Sequence, residues 1–204
     1  MSLTDTFIEL AERGLVPDFL IRSGIRNLCR KRLKQCLADD CEANAELAEK
    51  YLADSDASPM AVLTDKANEQ HYEVPAGFYQ LVLGKNLKYS SCYFDDLVSD
   101  LSKAENQSLE LTCEHAGLED GQKILELGCG WGSLSLWMAK NYPNSQITSV
   151  SNSHSQRKHI EAQARERGLK NLEIITEDVN AFETEERFDR LVSVEMFEHV
   201  RNHR

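Results

Sequence analysis

Two carboxylates and an imidazole stand within one short stretch, Glu195-Met-Phe-Glu-His199. Side chains of these types take and give protons, and burial or neighbouring charge tunes their pKa values toward neutrality. Upstream, Lys123-Ile-Leu-Glu-Leu-Gly-Cys-Gly-Trp-Gly132 ends an apolar run in three alternating glycines, Gly128, Gly130 and Gly132. Residues without a Cβ let the backbone approach a ligand closely. A helix starting at Ser133 turns free N–H groups toward the same place. Strand, glycine turn and helix in that order mark where an α/β sheet binds an adenosine-bearing cofactor.

The spacing separates two kinds of cofactor. The dinucleotide fingerprint is Gly-x-Gly-x-x-Gly, its third glycine packing the helix against the strand. Here the third glycine, Gly132, comes one residue early. Glu126, just before the turn, suits the amino or carboxylate end of a methionine-like group. The pattern favours S-adenosyl-L-methionine over a dinucleotide.

The elements that must hold these groups alternate. Strands are expected at Lys123–Leu127, Gln146–Val150, Leu172–Thr176 and Phe188–Glu195. Helices are expected at Ser133–Tyr142 and Ser155–Gly168, with a helical turn near Asn180–Glu183. Such alternation implies an α/β fold, a Rossmann-like doubly wound parallel sheet. In the order 3-2-1-4, strand four would expose Leu191-Val-Ser-Val194 as an apolar edge. That edge predicts a cover, either a second copy of the chain or further strands of a sheet truncated after strand four.

Before this half-domain, residues 1–60 read as a helical extension, and 61–120 as an aromatic-rich cap with a connecting helix over 97–117. Gly14 ends the first helix and Pro17 suits the start of the next. Phe19, Leu20, Ile25, Leu28, Leu33 and Leu37 form an apolar stripe beside Arg22, Arg26, Arg30, Lys31, Arg32 and Lys34. Such a helix suits an anionic membrane surface, or a solvated face paired with the acidic helix 39–54. Residues 54–60 read as a linker. The stretch 71–94 holds Tyr72, Phe78, Tyr79, Tyr89, Tyr93 and Phe94. It is too aromatic for a solvated loop and should pack across a ligand site. His71 and Tyr72 suit either a pocket lining or a buried loop, whereas His115, His154, His159 and His203 read as surface.

The net charge of −11 argues against a nucleic-acid-binding surface. No apolar run approaches a membrane span, and Met1-Ser-Leu-Thr-Asp-Thr has no leader character, so a cytoplasmic chain with no stable membrane anchor is expected. The six cysteines form no Cys-x-x-Cys pair, which implies reduced thiols, mostly small buried hydrophobes, and no metal site.

Several motifs occur in order: Gly14-Leu-Val-Pro-Asp18, His71-Tyr-Glu-Val-Pro75, Leu87-Lys-Tyr-Ser-Ser-Cys-Tyr-Phe94, Leu127-Gly-Cys-Gly-Trp-Gly-Ser-Leu-Ser135, Ser151-Asn-Ser153 with Gln156, and the run from Phe188 to His199. On these, nearly the whole chain resembles the cyclopropane-fatty-acid-synthase superfamily of S-adenosylmethionine-dependent methyltransferases, in particular its coclaurine N-methyltransferase-like branch. The resemblance implies that Tyr89 and Ser90 close over the cofactor's methionine end, which Gly128, Cys129, Gly130 and Gly132 cradle. It implies Asn152 and Gln156 at the ribose, and Asp178 and Val179 at the adenine. It implies an enzyme that methylates a small amine, with Glu195, Glu198 and His199 as the acid–base group. Without the resemblance, those three serve equally well as a helix cap. Cyclopropane synthases resemble the chain too, but usually carry glycine at position 195 and cysteine at position 91. The alternatives are therefore a cyclopropane-fatty-acyl-phospholipid-synthase-like enzyme acting on unsaturated lipid, or a non-catalytic cofactor-binding module.

Overall fold

A computed structural model describes residues 3–37, 40–62, 76–95, 97 and 99–202. In chain order its elements are α1 (Leu3–Glu12), α2 (Asp18–Cys36), α3 (Cys41–Asp56), α4 (Ala76–Val82), α5 (Leu101–His115), β1 (Lys123–Leu127), α6 (Ser133–Asn141), β2 (Gln146–Ser151), α7 (His154–Glu166), β3 (Leu172–Thr176) and β4 (Arg190–Val192). A 3₁₀ turn, Phe197–His199, follows. The chain divides into two units, Met1–Ala57 and Ser58–Arg204.

In the second unit the four strands are parallel in the order β3-β2-β1-β4. β1 lies between β2 and β4, and Ile124, Leu125 and Glu126 on it are buried. One apolar cluster joins Leu109 and Cys113 of α5 and Met138 of α6 to Ile124, Ile147 and Val192 of the sheet. A second joins Leu136 of α6 and Ile160 and Ala164 of α7 to Ile174 of β3. The α/β architecture expected from the alternation is present, with the expected strand order.

β4 is shorter than the apolar run suggests. Beyond Val192, Ser193 donates its hydroxyl to the Leu127 carbonyl at 3.0 Å, and Glu195 takes a left-handed φ of 55° that turns the chain away. Near Asn180 the expected helical turn is present as a single turn, in which the Ala181 and Phe182 N–H groups both donate to the Asp178 carbonyl at 2.9 Å and Asp178 Oδ1 accepts from the Asn180 N–H at 2.7 Å. β4 is one of the sheet's two edge strands, and Leu191 on it is exposed.

The first unit consists of α1, α2 and α3. Gly14 closes α1, with Leu15 N–H donating to the Leu10 carbonyl, and Pro17 is the N-cap residue of α2. α3 continues to Asp56, into the stretch read as a linker. The apolar stripe of α2 is exposed, and no ion pair joins α2 to α3 among the described residues. Arg22 pairs instead with Asp18, one turn away on its own helix. Cys29, Cys36 and Cys41 are exposed and only Cys113 and Cys129 are buried, so most of the thiols are not core residues. No helix among the described residues is long and apolar enough to cross a membrane.

Gly132 sets how closely α6 approaches α7. Its φ is 80°, and a Cβ there would lie 2.6 Å from Ile160 Cγ1. Gly168 has φ of 69° but open space around a would-be Cβ. Gly132→Ala should therefore cost about 2–4 kcal/mol, combining backbone strain with overpacking. Gly168→Ala should cost only the strain, about 1–2 kcal/mol. Urea denaturation of both variants checks the difference, and equal losses would contradict the packing role given to Gly132.

Candidate functional site

The carboxyl ends of the strands open into two cavities of about 280 and 90 Å³. Both are bordered by Gly128, Gly130, Gln156 and Glu195, so they form one groove along the strand tips. The glycine turn is tied to β2, since the N–H groups of Gly128 and Cys129 both donate to the Val150 carbonyl, at 3.0 and 3.1 Å. Gly130, with φ of 51°, has no atom within 4 Å of a would-be Cβ, so the turn leaves room at its crest.

Two buried polar atoms bordering the larger cavity lack a partner. Gln156 is only 1% exposed; its Oε1 accepts from Ser151 Oγ at 2.7 Å, and its Nε2 has no acceptor. Ser133, first residue of α6, has a buried hydroxyl without a partner. Orphaned groups of this kind are rare unless a ligand or water completes them.

Glu126 forms the floor. Its Oε2 accepts from Ser135 of α6 at 2.5 Å and from Ser149 of β2 at 2.8 Å. Burial pushes its carboxyl above the usual range, and the two serine bonds pull the other way.

The opposite wall, residues 84–91, is fastened to α5. Glu105, fully buried, accepts from the N–H groups of Gly84 and Lys88 through Oε1, both at 3.0 Å, and from Asn86 through Oε2 at 2.8 Å. Ser102 accepts from the Lys85 N–H, and Ser108 donates to the Ser91 carbonyl at 2.8 Å. Within this wall Leu87 and Ser91 have left-handed φ values of 51° and 50°. Tyr79 of α4 is buried against Tyr89 and Trp131, with ring centroids at 5.4 and 5.3 Å. The aromatic stretch thus borders the groove, although Phe78, Tyr89, Tyr93 and Phe94 are about half exposed. His71, Tyr72 and His203 lie outside the described residues. His159 is not a free surface residue; it packs edge-on against Trp131, and burial lowers its pKa.

Of the residues singled out from sequence, Tyr89, Ser90, Glu126, Gly128, Cys129, Gly130, Gln156, Glu195, Glu198 and His199 border the larger cavity. Asn152 and Val179 border the smaller one. Gly132 and Asp178 border neither. Gly132 packs on Ile160, and the side chain of Asp178 takes two bonds from Asn180, at 2.7 and 2.8 Å. Glu177 takes the neighbouring lining position instead. Glu195, Glu198 and His199 are exposed at the rim. They do not cap a helix either; Met196 is the N-cap residue of the 3₁₀ turn, and no side chain caps it.

Sequence reading missed Lys88, Ser133 and Trp131, all bordering the larger cavity, while Tyr79 borders it as the aromatic stretch led one to expect. Lys88 is 7% exposed, and its ammonium donates to the Ser90 carbonyl. Burial lowers its pKa, while Cys92, Glu195 and Glu105 act in the opposite direction. The signal in the sequence was a single lysine inside an aromatic, turn-forming stretch.

Residues 63–204 match the family described as mycolic acid cyclopropane synthetase. The chain is 38% identical over 196 residues to (S)-coclaurine N-methyltransferase of Thalictrum flavum subsp. glaucum, covering 94% of this chain and 53% of that protein. It is 36% identical over 132 residues to cyclopropane-fatty-acyl-phospholipid synthase of Escherichia coli (strain K12), covering 65% of this chain and 33% of that one. A crystal structure of coclaurine N-methyltransferase bound to N-methylheliamine and SAH superposes with a TM-score of 0.85 at 35% identity, over 98% of this chain and 58% of that one. The chain therefore spans about half the length of the curated N-methyltransferase it matches.

The clasp at Glu105 generates a direct expectation. Glu105→Ala removes the acceptor for three backbone N–H groups, at a cost of about 1–3 kcal/mol. Hydrogen exchange should quicken at Gly84, Asn86 and Lys88 while β1 amides keep their protection relative to global unfolding. Unchanged exchange at those three amides would contradict the clasp.

Proposed function

The chain belongs to the mycolic acid cyclopropane synthetase family, and on that premise we propose that it forms the cofactor-binding part of an S-adenosylmethionine-dependent N-methyltransferase acting on a small amine. The observation that carries the reading is the extent of the match. Similarity to (S)-coclaurine N-methyltransferase runs over 94% of the chain, whereas similarity to the bacterial cyclopropane synthase runs over 65%. The residues at positions 91 and 195 agree, since Ser91 and Glu195 stand where cyclopropane synthases usually have cysteine and glycine.

The groove suits the cofactor on its own terms. A glycine crest leaves room for a ligand, and Gln156 offers a free amide donor between the two cavities. Asn152 and Gln156 hold the ribose hydroxyls, an arrangement neutral amides can provide. Val179 borders the adenine end, with Asp178 shaping its turn. Tyr89 and Ser90 cover the methionine end, and Glu126 faces its ammonium. Bound there, S-adenosylmethionine supplies an electrophilic methyl group.

Glu195, Glu198 and His199 act on the amine. A protonated amine has no lone pair to offer, so a base must take its proton; His199 or a carboxylate does so at the rim. The carboxylates also orient a cationic amine toward the groove, and such positioning accounts for much of the rate in displacement reactions. Exposure leaves these three side chains accessible to an incoming substrate.

Calorimetric titration with S-adenosylmethionine, with NAD as control, tests the cofactor assignment. Binding of the first alone is expected, and binding of NAD alone would reverse it. In the active protein, His199→Ala and Glu198→Ala should each lower methyl transfer by about 10²–10⁴ while cofactor affinity changes little. Parallel loss of affinity and rate would remove the acid–base assignment.

A further inference from the structure

The roles proposed above leave the one lysine of the groove without a task. Lys88 is the only lysine or arginine among the described residues bordering either cavity. It is 7% exposed. No ion pair to it exists among the described residues, where the pairs are Arg13–Glu9, Arg22–Asp18 and Arg157–Glu161. Among the described residues, the one hydrogen bond of its ammonium goes to the neutral carbonyl of Ser90. A buried ammonium in this state is costly unless an anion meets it.

The nearby carboxylates are otherwise engaged. Both oxygens of Glu105 are held by backbone N–H groups, one of them that of Lys88 itself. Glu126 is held by two serines. Glu195 belongs to the exposed rim. An amine substrate would be repelled by an ammonium rather than drawn to it, so the missing anion does not belong to the methyl acceptor.

We propose that Lys88 binds the α-carboxylate of the cofactor's amino-acid end, an inference that rests on the cofactor reading above. That end is a zwitterion and needs one site of each sign. Glu126 on the floor and Lys88 on the wall border the same cavity and supply the two. Lys88 directly precedes Tyr89 and Ser90, the pair assigned to the methionine end. Ser133 borders the same cavity with a buried, unpartnered hydroxyl and adds a second donor for the carboxylate. The ammonium then plays two parts: it anchors the wall through Ser90 and discriminates the complete cofactor from nucleosides lacking the acid group.

Two ligands test this by calorimetric titration. One is S-adenosylhomocysteine. The other is S-adenosyl-3-thiopropylamine, which keeps the amino group and lacks only the carboxylate. The wild-type chain should prefer the first. Lys88→Met should weaken S-adenosylhomocysteine about tenfold to a hundredfold, the range for a charge-assisted bond, and leave the decarboxylated ligand unchanged. Lys88→Arg should keep most of the preference. A similar thermal transition in all three proteins would show that the variants fold. Equal weakening of both ligands by Lys88→Met would make Lys88 a structural anchor of the wall and overturn the assignment, as would no weakening of either. A wild-type chain that binds neither ligand would overturn the cofactor reading, and this assignment with it.

Discussion

A carboxylate buried on the central strand organises this structure. Glu126 sits on β1, between β2 and β4, with a hydroxyl arriving from β2 and another from the first turns of α6. Burying a carboxyl group in an apolar sheet is unfavourable unless its lone pairs are used. The two serines satisfy one oxygen and thereby fix strand, neighbour and helix in a common geometry. The glycine turn follows immediately, so its place above the sheet descends from that junction. Glu126 also borders the larger cavity.

Sequence periodicity resolved the frame well because its cause is local. Apolar runs gave β3 with the bounds Leu172–Thr176 and β1 with the bounds Lys123–Leu127. The strand order is the 3-2-1-4 assumed for a doubly wound sheet. β4 was misjudged because Leu191, Val192 and Val194 read as one run, whereas a hydroxyl bond at Ser193 and a left-handed Glu195 end the pairing early. Neither event has a composition signature. The exposed cysteines of the first unit were likewise misread, since a prior for burial knows nothing of which helix face meets a core.

The site was legible where chemistry is confined to short motifs, and illegible where it depends on contacts distant in sequence. The glycine turn, Gln156 and the Glu195–His199 stretch all reach the groove. Asp178 borders neither cavity, its side chain accepting two bonds from Asn180. Lys88 stayed hidden because a lysine between Leu87 and Tyr89 has no distinguishing neighbour in the chain. Only Glu105, a helix away, reveals that its backbone is held inside. Three non-glycine residues adopt left-handed φ, namely Leu87, Ser91 and Glu195. Two of them border the larger cavity and the third adjoins it, a clustering of backbone strain that accompanies functional sites.

The wall from Gly84 to Ser91 is stitched to α5 at both ends, by Glu105 upstream and Ser108 downstream. Its conformational entropy is therefore spent when the chain folds, and not when a ligand arrives. A groove shaped in advance admits its occupant at a rate set by diffusion and desolvation rather than by loop closure.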